Sequence, residues 1–66
     1  MKTLAELTSD LAQINNELAN LETFHMSGEF RAMSPASRVR IIKLYRYLTN
    51  VRNIVARIIS EYPEEP

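Results

Sequence analysis

A chain of 66 residues allows one domain at most, and a single unit is expected over residues 1–66. It has no cysteine, which excludes disulfides, cysteine-held zinc and thiol chemistry and fits a reducing, cytoplasmic setting. Eight basic and eight acidic residues cancel to zero net charge, removing the bulk basicity behind non-specific nucleic-acid binding, while 45% hydrophobic content is too high for a disordered chain.

No apolar run approaches the roughly 20 residues of a bilayer span. Glu6 and Asp10 interrupt the stretch after Lys2, so no signal peptide is expected either.

The first helix is expected over residues 3–25. Leu4, Leu7, Leu11, Ile14, Leu18 and Leu21 recur at spacings of three and four, and His25 takes the next place in this heptad seam. Ala5, Ala12 and Ala19 form a small-residue stripe on its flank. Thr3 with Glu6 reads as a capping box, and Gly28 as a left-handed stop. Residues 26–34 read as a loop, and Phe24, Met26, Phe30 and Met33 around the turn are expected to cap one end of the fold.

A second helix is expected over residues 35–62, with Ser34 as its cap, Pro35 in the first position and Pro63 ending it. Its seam is Ile41, Leu44, Leu48, Val51, Val55, Ile58 and Tyr62, widened by Tyr45, Tyr47, Ile54 and Ile59. The acidic tail 63–66 is expected to be solvated. The short connection implies an all-α, antiparallel two-helix hairpin.

Charge supports that register. Helix one carries Glu6, Asp10, Glu17 and Glu22, whereas helix two is rich in arginine. Folding back near residues 26–34 puts Glu22 level with Arg40, Glu17 with Arg46, Asp10 with Arg52 and Glu6 with Arg57. Four interhelical ion pairs are therefore expected. The apolar face of helix two is wider than one partner helix covers, so a homo-oligomer is expected, most simply a dimer forming a four-helix bundle. Its interface is expected to use Leu11, Ile14, Leu18, Tyr47, Leu48, Val51, Ile54, Val55 and Ile58.

Few residues point to chemistry. Glu22 and His25 have the Glu-x-x-His spacing of di-iron helices, but helix two offers only Glu61 as a facing glutamate, at the wrong end. Ser34 and Ser37 have no histidine base nearby in sequence and read as caps. The chain is expected to be non-enzymatic, with no metal and no cofactor. The candidate ligand site is the start of helix two, where Arg31, Ser34, Ser37, Arg38, Arg40, Lys43 and Tyr45 could hold a phosphate and stack a base. The same arginines could instead pair with helix one while the tyrosines pack in the bundle.

The stretch Tyr45-Arg46-Tyr47-Leu48-Thr49 is similar to a Tyr-Arg-x-Leu-Ser/Thr stretch of the phage anti-CBASS sponge proteins. The resemblance covers five residues. It implies a helical oligomer that sequesters cyclic nucleotides between protomers, with phosphate contacts from Arg38, Arg40 or Lys43 and stacking from Tyr45. Two functions are thus expected as alternatives. One is a protein-binding inhibitor or adaptor, in a phage counter-defence setting; the other is an anion-binding module for a nucleotide or nucleic-acid phosphate.

Overall fold

A computed structural model describes residues 2–63 of the chain. It is all-helical, with α1 over Leu4–His25, α2 over Gly28–Ala32 and α3 over Pro35–Ser60, and no strand among the described residues. The expected tail beyond Pro63 lies outside the described residues.

Each helix starts where a side chain satisfies free backbone amides. Thr3 Oγ1 accepts from the Glu6 N–H at 3.2 Å, and Glu6 Oε1 accepts from the Thr3 N–H at 3.1 Å, completing the capping box. That backbone hydrogen bond, and then the Thr3 hydroxyl, hold the Glu6 carboxyl below its ordinary range. Ser34 Oγ accepts from the Ser37 N–H at 3.2 Å, and Pro35 occupies the first turn of α3.

The connection departs from the expected loop. Ser27 Oγ donates to the Phe24 carbonyl at 2.6 Å and accepts from the Phe30 N–H at 3.3 Å. One hydroxyl therefore closes α1 and opens α2. Gly28 is the first residue of α2 rather than a left-handed stop, since no glycine has positive φ. Burial of Phe30 drives the extra turn: its ring meets Phe24 edge-on at 6.0 Å and lies 4.6 Å from the His25 ring. His25 thus packs on an aromatic ring at the end of the seam.

α3 ends at Ser60, two residues earlier than expected. Tyr62 lies past the helix yet stays half-buried, and its hydroxyl donates to the Lys2 carbonyl at 3.1 Å. Near the other end the Tyr45 hydroxyl donates to Glu22 Oε1 at 2.7 Å. These two bonds show α1 and α3 lying side by side with opposite chain directions. Their levels fall within a few residues of those expected from charge.

The contact stripes are the half-buried positions Leu7, Leu11, Ile14 and Leu21 around buried Leu18 on α1, and Ile41, Tyr45, Leu48, Val55 and Ile59 on α3. The expected seam was off by one flank: Leu44 and Ile58 are exposed, while Tyr45 and Ile59 turn inward. Both spacings alternate three and four, so periodicity alone did not choose between them.

The four interhelical ion pairs are absent among the described residues, where Asp10 pairs with Lys2 and Arg57 lies 3.6 Å from Glu61. Arg52 is half-buried on the inward side, about 20° around from Ile41, but its guanidinium donates to Asn53 while Asp10 pairs with Lys2; for two others direction decides. At 3.6 residues per turn, Arg46 lies about 140° around α3 from Ile41, and Arg57 about 160° from Ile59. Both bases therefore point away from α1.

The result is a rod of 54 × 16 × 15 Å with a radius of gyration of 15.2 Å, against about 11 Å for a compact chain of this length. Only Leu18 (3% exposed) and Phe30 (8%) are buried among the described residues. Replacing Leu18→Ala should cost about 2–5 kcal/mol of stability, read as a lower urea midpoint by circular dichroism. The exposed control Asn20→Ala should leave the midpoint within error.

Candidate functional site

α3 carries a second apolar stripe whose Leu44, Tyr47, Ile54 and Ile58 α1 leaves uncovered, with half-buried Val51 among them bordering the groove to α1. Leu44, Tyr47, Val51, Ile54 and Ile58 follow spacings of three, four, three and four, centred about 100° around the helix from Ile41. Tyr47 is 64% exposed, Ile54 58%, Leu44 44% and Ile58 43%. The nine residues named from sequence as an interface divide accordingly. Leu11, Ile14, Leu18, Leu48 and Val55 belong to the α1–α3 contact, whereas Tyr47, Val51, Ile54 and Ile58 belong to the outward stripe. Leu44 joins the outward stripe as its first member.

The accessible surface is 5343 Å², whereas a compact monomer of this mass exposes about 4,300 Å². The excess of about 1,000 Å² belongs to the elongated outline as a whole.

The α1 side of this face is different. A groove of ≈ 600 Å³ runs beside Val51, floored by Ile14, Leu48 and Val55 and rimmed by Lys2, Asp10, Gln13, Asn16 and Glu17. That rim is polar and partly self-paired, with the Lys2 amine donating to Asp10. Large apolar contact on this face is therefore confined to α3.

On the opposite flank a groove of ≈ 440 Å³ is lined by Leu21, Glu22, His25, Met26, Ile41, Ile42 and Tyr45. Met26 and Ile42 are exposed at its edge, with Val39 on the same flank of α3. The volume is within the range of ligand pockets, but its chief polar groups, Glu22 and Tyr45, satisfy one another. No group of three or more His, Asp or Glu residues able to hold a metal occurs among the described residues.

The proposed anion residues are spread around the start of α3. Arg31 is exposed on α2, Ser34 caps α3, and half-buried Ser37 binds the cap through its N–H while its hydroxyl accepts from Ser34. Arg38 is half-buried, and Arg40 and Lys43 are exposed. Arg38 and Arg40 project about 160° apart, whereas Arg40 and Lys43 are about 60° apart. The helix thus groups Arg40 with Lys43 and sets Arg38 on the other side. The Tyr45 ring is half-buried with its hydroxyl committed to Glu22.

Comparison with protein-family models, curated proteins and solved structures finds no match to this chain. Its own surfaces therefore carry the functional reading.

The hydrogen bond to Glu22 raises the Tyr45 phenol above its ordinary value. Because the folded value is the higher one, this bond contributes below the ordinary phenol range and is lost as pH rises through the folded value. Ultraviolet titration of the three tyrosines should show a late-ionising phenol that disappears in Tyr45→Phe and moves earlier in Glu22→Gln.

Proposed function

We propose that this chain is a non-enzymatic antiparallel helical hairpin that assembles into a helical bundle as a homo-oligomer and acts as a protein-binding inhibitor or adaptor. The observation that carries this reading is the outward stripe of α3, a heptad seam with no partner helix. A core of Leu18 and Phe30 is thin support for a folded chain of this size. Covering the stripe with another helix removes apolar surface at about 25 cal/mol per Å², supplying stability that the single chain lacks. The flank bearing Met26 and Ile42 faces away from that stripe, Ile42 lying about 160° around α3 from its centre. It stays open for a different protein once the stripe is covered.

Light scattering coupled to gel filtration tests the assembly. The parent chain should run as a dimer or larger species, and Ile54→Glu should abolish it, because a carboxylate is costly in a dry seam. Exposed Asn16→Glu should leave the assembly intact. A parent that stays monomeric at all concentrations, or an Ile54→Glu chain that assembles like the parent, rejects the reading.

A second reading is favoured by one observation. Arg38, Arg40 and Lys43 have no carboxylate within 4.0 Å among the described residues, which leaves their charges available to an anion. In this alternative the oligomer sequesters a nucleotide or nucleic-acid phosphate at the basic start of α3, as the resemblance to the sponge proteins implies. The purified chain lacks tryptophan, so a co-purifying nucleotide should lift absorbance at 260 nm visibly. Reversing Arg38 and Lys43 to glutamate should remove that excess while preserving assembly. A parent with no excess at 260 nm and no retention of added nucleotides counts against this alternative alone.

A further inference from the structure

Resting on the oligomeric reading, we infer that the partner covering the outward stripe is a second copy of this chain, its α3 laid antiparallel on the first about a two-fold axis at Val51. The stripe reads almost the same in both directions. Inversion about residue 51 exchanges 44 with 58 and carries 47 to 55, one residue beyond 54. Antiparallel overlay therefore sets Leu44 on Ile58 of the second copy, Val51 on its Val51, and Tyr47 within one residue's rise of its Ile54. A surface that maps onto itself by rotation is what an isologous two-fold contact requires.

Apolar matching does not fix direction, because a parallel pair would also align the stripe, each residue on its own copy. The ends decide. Arg40 precedes Leu44 by one turn on the same side of α3, and Glu61 comes three residues after Ile58. In the antiparallel pair Arg40 meets Glu61 of the second copy at both ends of the seam. In the parallel pair arginine meets arginine and glutamate meets glutamate. Both side chains lie on exposed residues. Arg57, 3.6 Å from Glu61, is equally exposed and leaves that carboxylate on the rim. Each end pair contributes little, but reversing the chain direction exchanges two attractions for two repulsions, so charge acts mainly on orientation.

The polar rim of α1 at Asp10, Gln13 and Glu17 keeps the contact on α3.

The native chain has no cysteine, which makes a cross-linking test clean. Leu44→Cys and Ile58→Cys are made separately, both at exposed positions, and their helicity is checked by circular dichroism. A short bis-maleimide spanning roughly the 8–10 Å between packed helix axes is then added. The expected result is efficient linkage in the mixture of the two variants and little in either alone, since like positions lie about 21 Å apart in the antiparallel pair. Linkage of Leu44→Cys to itself would establish the parallel pair and overturn the inference. Assembly by light scattering with no linkage in any sample would also overturn it, leaving the oligomeric reading standing. A monomer by light scattering would remove both. As an independent readout, Arg40→Glu or Glu61→Arg alone should weaken dimerisation about threefold to thirtyfold, and the double variant should recover it. Unchanged affinity in both single variants would overturn the end pairing.

Discussion

Two helices laid side by side cover only one stripe of each other, and α3 has two. That geometric limit governs the rest of the molecule. A helix buries about a third of its circumference against a neighbour, here through Ile41, Tyr45, Leu48, Val55 and Ile59. Leu44, Tyr47, Ile54 and Ile58 are then left in water whatever the register of α1. No rotation of α3 solves the problem, because burying the second stripe would expose the first. The apolar face of α3 is wider than one neighbour covers, whereas α1 leaves Asn15, Asn16 and Asn20 exposed on its other side.

The polar contacts define the fold more than they strengthen it. Tyr62 on the Lys2 carbonyl and Tyr45 on Glu22 join α1 to α3 near opposite ends. The Thr3, Ser27 and Ser34 caps set where each helix begins. Such bonds are individually modest. Together they hold the inward stripe in place, and so fix which residues the outward face presents.

Much of this was legible in the residues. Thr3 with Glu6, and Ser34 before Pro35, announced the starts of α1 and α3 because those side chains have a local task that sequence spacing displays. The heptads announced helices for the same reason. What sequence did not reveal was direction around the axis. Leu44 and Tyr45 are adjacent and both apolar, and only the packed helix shows that Tyr45 turns to Glu22 while Leu44 turns out. The expected pairs of Arg46 and Arg57 failed on the same point, since level along a helix is linear in sequence whereas azimuth depends on which face is buried. α2 was hidden because its cause is tertiary: a five-residue helix has little intrinsic stability, and Phe30 holds it by packing on Phe24 and His25. For the candidate site, the residue types were visible early. Their division into an inward and an outward set needed the fold.

The elongated outline has a hydrodynamic consequence. A body of 54 × 16 × 15 Å meets more friction than a sphere of equal mass and tumbles slowly about its short axes. In a gel-filtration column calibrated with globular standards, one such chain would elute early, as though it were heavier. Retention volume therefore mixes shape with association for this molecule, and only a mass obtained independently of shape separates them. Rotational anisotropy offers a second view. Amide vectors in long helices lie nearly along the rod axis, so they should relax as a group apart from those in the connection around Met26 and Met33, where the backbone turns.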